Sequence, residues 1–112
     1  HGVYRGGLGV HLALCAMAGN LGMRVDLDRI PAQQDLRADR LLFSETPGRF
    51  IAAVSPENRA AFESLLENYP CRCIGEVTES PRLEGRWKGG SLISVPVADL
   101  KSAWKQPFEN LI

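Results

Sequence analysis

The sequence predicts an α+β domain in which a mixed, mostly antiparallel sheet is covered by helices. Apolar residues fall at helical spacing through residues 8–20, apolar and charged side chains alternate over 23–28, and short strand-and-turn segments follow from residue 73. Helices interleaved with strands and closed by an antiparallel meander fit a sheet with helices packed on it, in a partly ferredoxin-like topology. With 112 residues there is room for one core, so 1–112 is read as a single domain. An apolar fraction of 45% is enough to fill that core without a metal or disulfide staple.

Residues 1–7 read as a glycine-containing loop. The helix after it carries two apolar series, Leu8, Leu12, Cys15 and Val10, Leu14, Met17, Leu21, which predicts burial on more than one face. Gly19, Asn20 and Gly22 supply its stop. Met23 to Asp28 then alternates as a strand with one face on the core and one in water. The stretch from Pro31 to Phe43 is polar and then weakly helical around Leu36 to Leu42, and Ser44-Glu45-Thr46-Pro47-Gly48 is turn chemistry.

Phe50-Ile51-Ala52-Ala53-Val54 is apolar on both faces and is expected to be a central strand covered on two sides. Ser55-Pro56-Glu57 starts a helix whose face of Ala61, Phe62, Leu65, Leu66 and Tyr69 should pack inward, with Arg59, Glu63 and Glu67 in solvent, until Pro70 ends it. Cys73 to Thr78, Leu83 to Trp87 and Leu92 to Val95 are expected as an antiparallel meander turned at Glu79-Ser80-Pro81 and Lys88-Gly89-Gly90. Val97 to Lys105 closes the chain as a short helix, with Leu100 and Trp104 one turn apart.

Thirteen basic residues balance thirteen acidic ones, which argues against an electrostatic grip on nucleic acid or on an anionic membrane. No apolar run reaches membrane-spanning length. The chain starts at His1, inside a motif and without an initiator Met, and is expected to be a piece of a longer protein. Cys15, Cys71 and Cys73 are read as reduced thiols in a reducing, cytoplasmic setting, and C-x-C with one distant Cys and two His is a poor zinc pattern, so no metal site is assigned.

Two places are candidates for binding. Gly6-Gly7 directly before a helix would leave backbone N–H groups free beside the positive helix end, and Arg5 would add a flat, forked cation suited to phosphate. The alternative at the same residues is a tight turn into a buried helix. Around the second turn, Ser44, Glu45, Thr46 and Arg49 place hydroxyls, a carboxylate and a cation before the 50–54 segment, as a pocket mouth or as a capped turn with a surface ion pair. His1 and His11 have no Cys, Ser or Asp partner at a recognisable spacing, so no catalytic residue is assigned.

Three motifs in order, His1-Gly2-Val3-Tyr4-Arg5-Gly6-Gly7-Leu8, Phe43-Ser44-Glu45-Thr46-Pro47-Gly48-Arg49-Phe50 and Ile74-Gly75-Glu76-Val77-Thr78, resemble the carboxy-terminal domain of the aminoimidazole ribonucleotide synthetase superfamily. Within it, they look most like the last domain of the phosphoribosylformylglycinamidine synthases, the synthetase subunits of purine biosynthesis. The resemblance implies an ATP-dependent ligase that converts formylglycinamide ribonucleotide to the amidine with ammonia from a glutaminase partner. ATP and magnesium would serve the full-length enzyme, with nothing bound tightly by this domain alone. Expected partners are upstream nucleotide-binding domains of the same chain and the glutaminase, with a dimer of such chains as a further one.

Relatives usually read His-Asp-x-Ser-(Asp/Glu)-Gly-Gly-Leu in the opening turn. Here Gly2, Tyr4 and Arg5 stand where the first acid, the Ser and the second acid would be. Two carboxylates are thereby absent, and a cation replaces an anion. The carry-over is therefore Arg5, Gly6 and Gly7 for phosphate binding and turn geometry, and His1, Ser44, Glu45 and Arg49 for a pocket or domain interface. Kinase-like relatives such as selenophosphate synthetase, or a non-catalytic ferredoxin-like binding module, are the alternative readings.

Overall fold

The structure, a computed structural model, describes residues 1–111. Its elements in chain order are α1 (Gly7–Gly19), β1 (Gly22–Asp26), α2 (Ala38–Phe43), α3 (Arg59–Leu65), β2 (Gly75–Thr78), β3 (Arg82–Trp87), β4 (Gly90–Pro96) and α4 (Val97–Lys105). The four strands form one sheet in the order β2-β1-β3-β4. The central pair β1 and β3 is parallel, and both outer pairs are antiparallel. The sheet is thus mixed and mostly antiparallel, as expected.

Alternation in β1 sorts its two faces. Val25 is buried among Leu8 and Leu12 of α1 and Ala38 and Leu42 of α2, with Met23 packed against the same cluster. Arg24 points the other way and pairs with Glu76 at 3.1 Å and Glu84 at 3.2 Å, all three largely in water. Helices therefore cover one face, while the other is a charged, solvated surface whose exposed ion pairs add about 0–1 kcal/mol each. Leu27 and Val97, the most deeply buried side chains, come directly after β1 and β4.

Helix α1 starts where the glycines predict and stops at Asn20, which adopts the left-handed conformation (φ 52°) and closes on the carbonyls of Ala16 and Met17. Only one face of it is fully buried, however, through Leu8, His11, Leu12 and Ala16, while Val10 is exposed. The second apolar series reaches a shallow hollow of about 360 Å³ between α1 and α4, lined by Leu14, Met17, Ala18, Lys101, Trp104 and Lys105.

Three expectations are corrected. The 50–54 segment is not a central strand: it makes one isolated bridge, Gly2 to Phe50, and Phe50 is 76% exposed. Its pairing partner is the 1–3 segment, and the sheet's centre is filled by the parallel β1/β3 pair instead. The helix after Pro56 is shorter than expected and buries no residue, with Leu65 80% and Tyr69 68% exposed. Periodicity identifies the face that favours burial but not whether anything in the chain covers it.

The meander is also broken, because β1 lies between β2 and β3. Glu79-Ser80-Pro81 is therefore a link that crosses the start of β1 rather than a hairpin turn. Strand β2 begins at Gly75, leaving Cys73 outside it with its thiol toward the Gly75 carbonyl at 3.4 Å. The β3/β4 hairpin forms as expected, with a register shift that leaves Leu92 unpaired as a bulge. A bulge and a terminal Pro blunt this otherwise uncharged edge strand. No helix among the described residues is long and apolar enough to cross a membrane.

Candidate functional site

The two candidate regions meet. Segments 1–3 and 49–51 run antiparallel: Ile51 N–H donates to the His1 carbonyl at 2.7 Å, the His1 amino group donates to the Ile51 carbonyl at 2.7 Å, and Val3 N–H donates to the Arg49 carbonyl at 2.9 Å. This pairing draws the opening turn and the Ser44 to Arg49 turn into one clasp at the amino end of α1. His1, Gly6, Glu45 and Arg49 are all joined in it, although the sequence separates them by up to 48 positions (49 − 1).

Within the clasp the glycines do two different things. Gly6 (φ 94°) and Gly7 (φ 82°) both occupy backbone space that other residues rarely enter. Gly7 also lets α1 press against α2, since a Cβ there would lie 2.7 Å from the Leu42 carbonyl oxygen and from Phe43 backbone atoms. That approach brings the chain just after α2 to the start of α1, and the Glu45 carboxylate accepts a hydrogen bond from Gly6 N–H at 2.8 Å. Gly7 N–H donates to the Tyr4 carbonyl at 3.1 Å.

Both amides thus have internal partners, and an acid from outside the helix stabilises its positive end. Glu45→Ala is expected to lower stability by about 1 kcal/mol, and Glu45→Gln by less because an acceptor oxygen remains. Urea unfolding midpoints of the two variants provide the measurement: equal losses would show that the neutral acceptor contributes nothing, and an unchanged Glu45→Gln midpoint would show that charge contributes nothing.

Arg49 secures the other half of the clasp. Its guanidinium donates to the Ser44 carbonyl and, at 3.2 Å, to the Thr46 carbonyl, so it staples the turn rather than pairing with Glu45. The Ser44 hydroxyl has no hydrogen bond among the described residues; its backbone carbonyl is the group used. The Arg5 side chain is exposed, without an ion-pair partner among the described residues.

His11, one turn after Gly7, is expected to pack or cap within the helix, and the structure adds loop partners that spacing does not reveal. His11 is buried, and Tyr4 N–H donates to its Nε2 at 3.0 Å. That leaves the ring hydrogen on Nδ1, directed at His1 Nε2 2.8 Å away. The Arg5 carbonyl lies 3.1 Å from the same Nε2, so a second ring hydrogen would exchange Tyr4 for Arg5 as its partner. The imidazole therefore anchors the loop over α1. A His one turn after a glycine pair was the available signal, but its partners lie in a loop with no periodicity.

No group of three His, Cys, Asp or Glu side chains able to hold a metal occurs among the described residues. Outside the clasp, hydrogen bonding and charge attraction from Glu63 raise the Arg59 guanidinium above its ordinary pKa.

Residues 3–88 match the family model described as AIR synthase related protein, C-terminal domain. Among curated relatives, the phosphoribosylformylglycinamidine synthase subunit PurL of Limosilactobacillus fermentum is 42% identical over 95% of this chain and 13% of that protein. The PurL subunit of Deinococcus radiodurans is 37% identical over 100% of this chain and 15% of its own length. The chain thus spans about one seventh of the curated relatives it matches. Among solved structures, T. maritima PurL complexed with FGAR superposes with a TM-score of 0.81 at 25% identity, covering 89% of this chain and 17% of that one. T. maritima PurL complexed with ATP gives 0.80 at 25% identity, covering 89% and 18%.

Proposed function

The chain belongs to the family of AIR synthase related protein C-terminal domains, and from that premise we propose that it is one domain of a longer ligase of the phosphoribosylformylglycinamidine synthase type. The observation that carries this reading is the continuous likeness to PurL subunits through nearly the whole chain. In the proposed reaction ATP phosphorylates the amide oxygen of formylglycinamide ribonucleotide. Ammonia released by a glutaminase then adds at the amide carbon, and inorganic phosphate leaves to give the amidine. Upstream nucleotide-binding domains, the glutaminase and a cytoplasmic setting belong to the same proposal.

The part played by this chain follows from its own groups. Gly6 and Gly7 shape the turn while their N–H groups serve internal acceptors. Arg5 is the cation available to a phosphate, and His1, Ser44, Glu45 and Arg49 form the rim presented to a neighbouring domain. Magnesium accompanying ATP would be held by phosphate oxygens and by residues elsewhere in the polypeptide. No acid, base or nucleophile is assigned here.

The test compares two lengths of protein. The 112-residue chain alone is expected to release no phosphate from ATP with formylglycinamide ribonucleotide and ammonia, whereas the longer polypeptide containing it turns over. Turnover by the isolated chain would refute the proposed division of labour. Phosphate release from the longer polypeptide only with a different acceptor, such as selenide, would move the chain to a kinase-like relative.

A further inference from the structure

Resting on the reading that this chain is one domain of a longer polypeptide, we propose that the residues preceding His1 continue the antiparallel ladder along Ala52, Ala53 and Val54. The 50–54 segment is then a docking strand for the chain's own upstream segment. Phe50 is 76% exposed, Ala52 to Val54 are exposed and make no ladder of their own, and α3 beyond them buries no side chain. A seven-residue helix that buries no side chain has little stability of its own in water. This arm is apolar and uncovered, and its pairing stops where the partner strand runs out.

The register then identifies the missing partner. Gly2 faces Phe50, and His1 exchanges both backbone hydrogen bonds with Ile51. In an antiparallel ladder such mutually bonded pairs recur every second residue. The residue immediately before His1 therefore faces Ala52 in a non-bonded pair. The one before that faces Ala53 and exchanges two hydrogen bonds with it, and the third faces Val54. Ala53 N–H, which has no partner among the described residues, is the diagnostic donor. The pairing needs only backbone groups, so it sets no demand on the sequence upstream beyond a strand free of Pro at the bonded position. Curated relatives about seven times the length of this chain supply room for such a segment.

Amide hydrogen exchange at Ala53, measured in the native polypeptide and in the 112-residue chain, tests the proposal. In the native polypeptide exchange should slow by about tenfold or more, independent of protein concentration. Equal rates at both lengths overturn it. Slowing of Ala53 in the 112-residue chain as its concentration rises would make a second copy the occupant and overturn it as well. Ala53→Pro provides a second readout: its thermal midpoint should fall by several degrees in the native polypeptide and stay within about one degree in the short chain. An intact mass showing no residues before His1 in the native protein would defeat the underlying domain reading. Protection absent despite an upstream segment would defeat this inference alone.

Discussion

Gly22→Ala is expected to remove about 3 kcal/mol or more of the chain's stability. A Cβ at this position would lie 1.8 Å from the Ser80 carbonyl oxygen and 2.6 Å from that of Arg82. Both are backbone atoms, the first in the link that crosses the start of β1 and the second at the start of β3. Gly22 is itself held in the ladder opposite Thr78. The link cannot simply retreat, because Pro81 O accepts the N–H of Val97 at 2.9 Å, which ties it to the buried start of α4. Relief therefore requires breaking either the β1/β2 pairing or the anchor under α4.

Forced overpacking costs about 1–3 kcal/mol where side chains can yield, and more where only backbone can, against a total stability of about 5–15 kcal/mol. A loss of about 3 kcal/mol or more is expected, seen as a large fall in the urea midpoint. Gly19→Ala is the control: it lies in α1 with nothing within 4 Å of the added methyl, and should be neutral or stabilising by up to about 1 kcal/mol. A Gly22→Ala midpoint close to that control would mean that the link does not cross β1 as described.

That crossing is also where local sequence information ran out. Pro, Ser and Glu at 79–81 mark a chain reversal correctly, but reversal chemistry is the same for a hairpin and for a link that steps over an intervening strand. The elements set by local rules were legible: α1 from its glycine entry and Asn20 exit, β1 from alternation, the β3/β4 hairpin from Lys88-Gly89-Gly90, and α4 after Pro96. The 50–54 segment was misread because two-sided apolar character expresses a need for burial without naming a partner, and its partner begins 49 positions earlier (50 − 1).

The candidate site divides in the same way. Gly6 and Gly7 announced a turn, and the Ser44 to Arg49 stretch announced another. That Glu45 fills the first turn depends on how closely α1 and α2 approach, and no motif spacing reports that distance. The acids absent from positions 2 and 5 also acquire a physical context. The turn's exposed donor is served by a carboxylate from the second motif, so the amino end of α1 keeps a negative partner without an acid in its own loop.

Gly7→Ala should fall short only of Gly22→Ala in effect, and its comparison with Gly6→Ala separates backbone strain from close packing. Both positions have positive φ, which costs a residue with a Cβ roughly 1–2 kcal/mol. At Gly6 the new methyl meets the Val10 side chain from 2.9 Å, and that side chain can shift. At Gly7 it meets Leu42 and Phe43 backbone at 2.7 Å, so α1 and α2 must move apart. Gly6→Ala is therefore expected to lose about 1–2 kcal/mol and Gly7→Ala about 3 kcal/mol or more. Equal losses would mean that the helices do not meet at Gly7.

Separation of the helices also carries Glu45 away from Gly6, since Glu45 lies two residues beyond the end of α2. The roughly 1 kcal/mol lost on Glu45→Ala should then shrink toward zero in the Gly7→Ala background. Where Gly7→Ala is too unstable to measure, amide exchange at Gly6 in partly denaturing urea reports the same coupling. Protection of that amide should be lost together with the α1/α2 contact rather than with global unfolding. Additive losses, or Gly6 protection that survives separation of the helices, would show that Glu45 reaches the turn by its own flexibility and that the clasp is not built by Gly7.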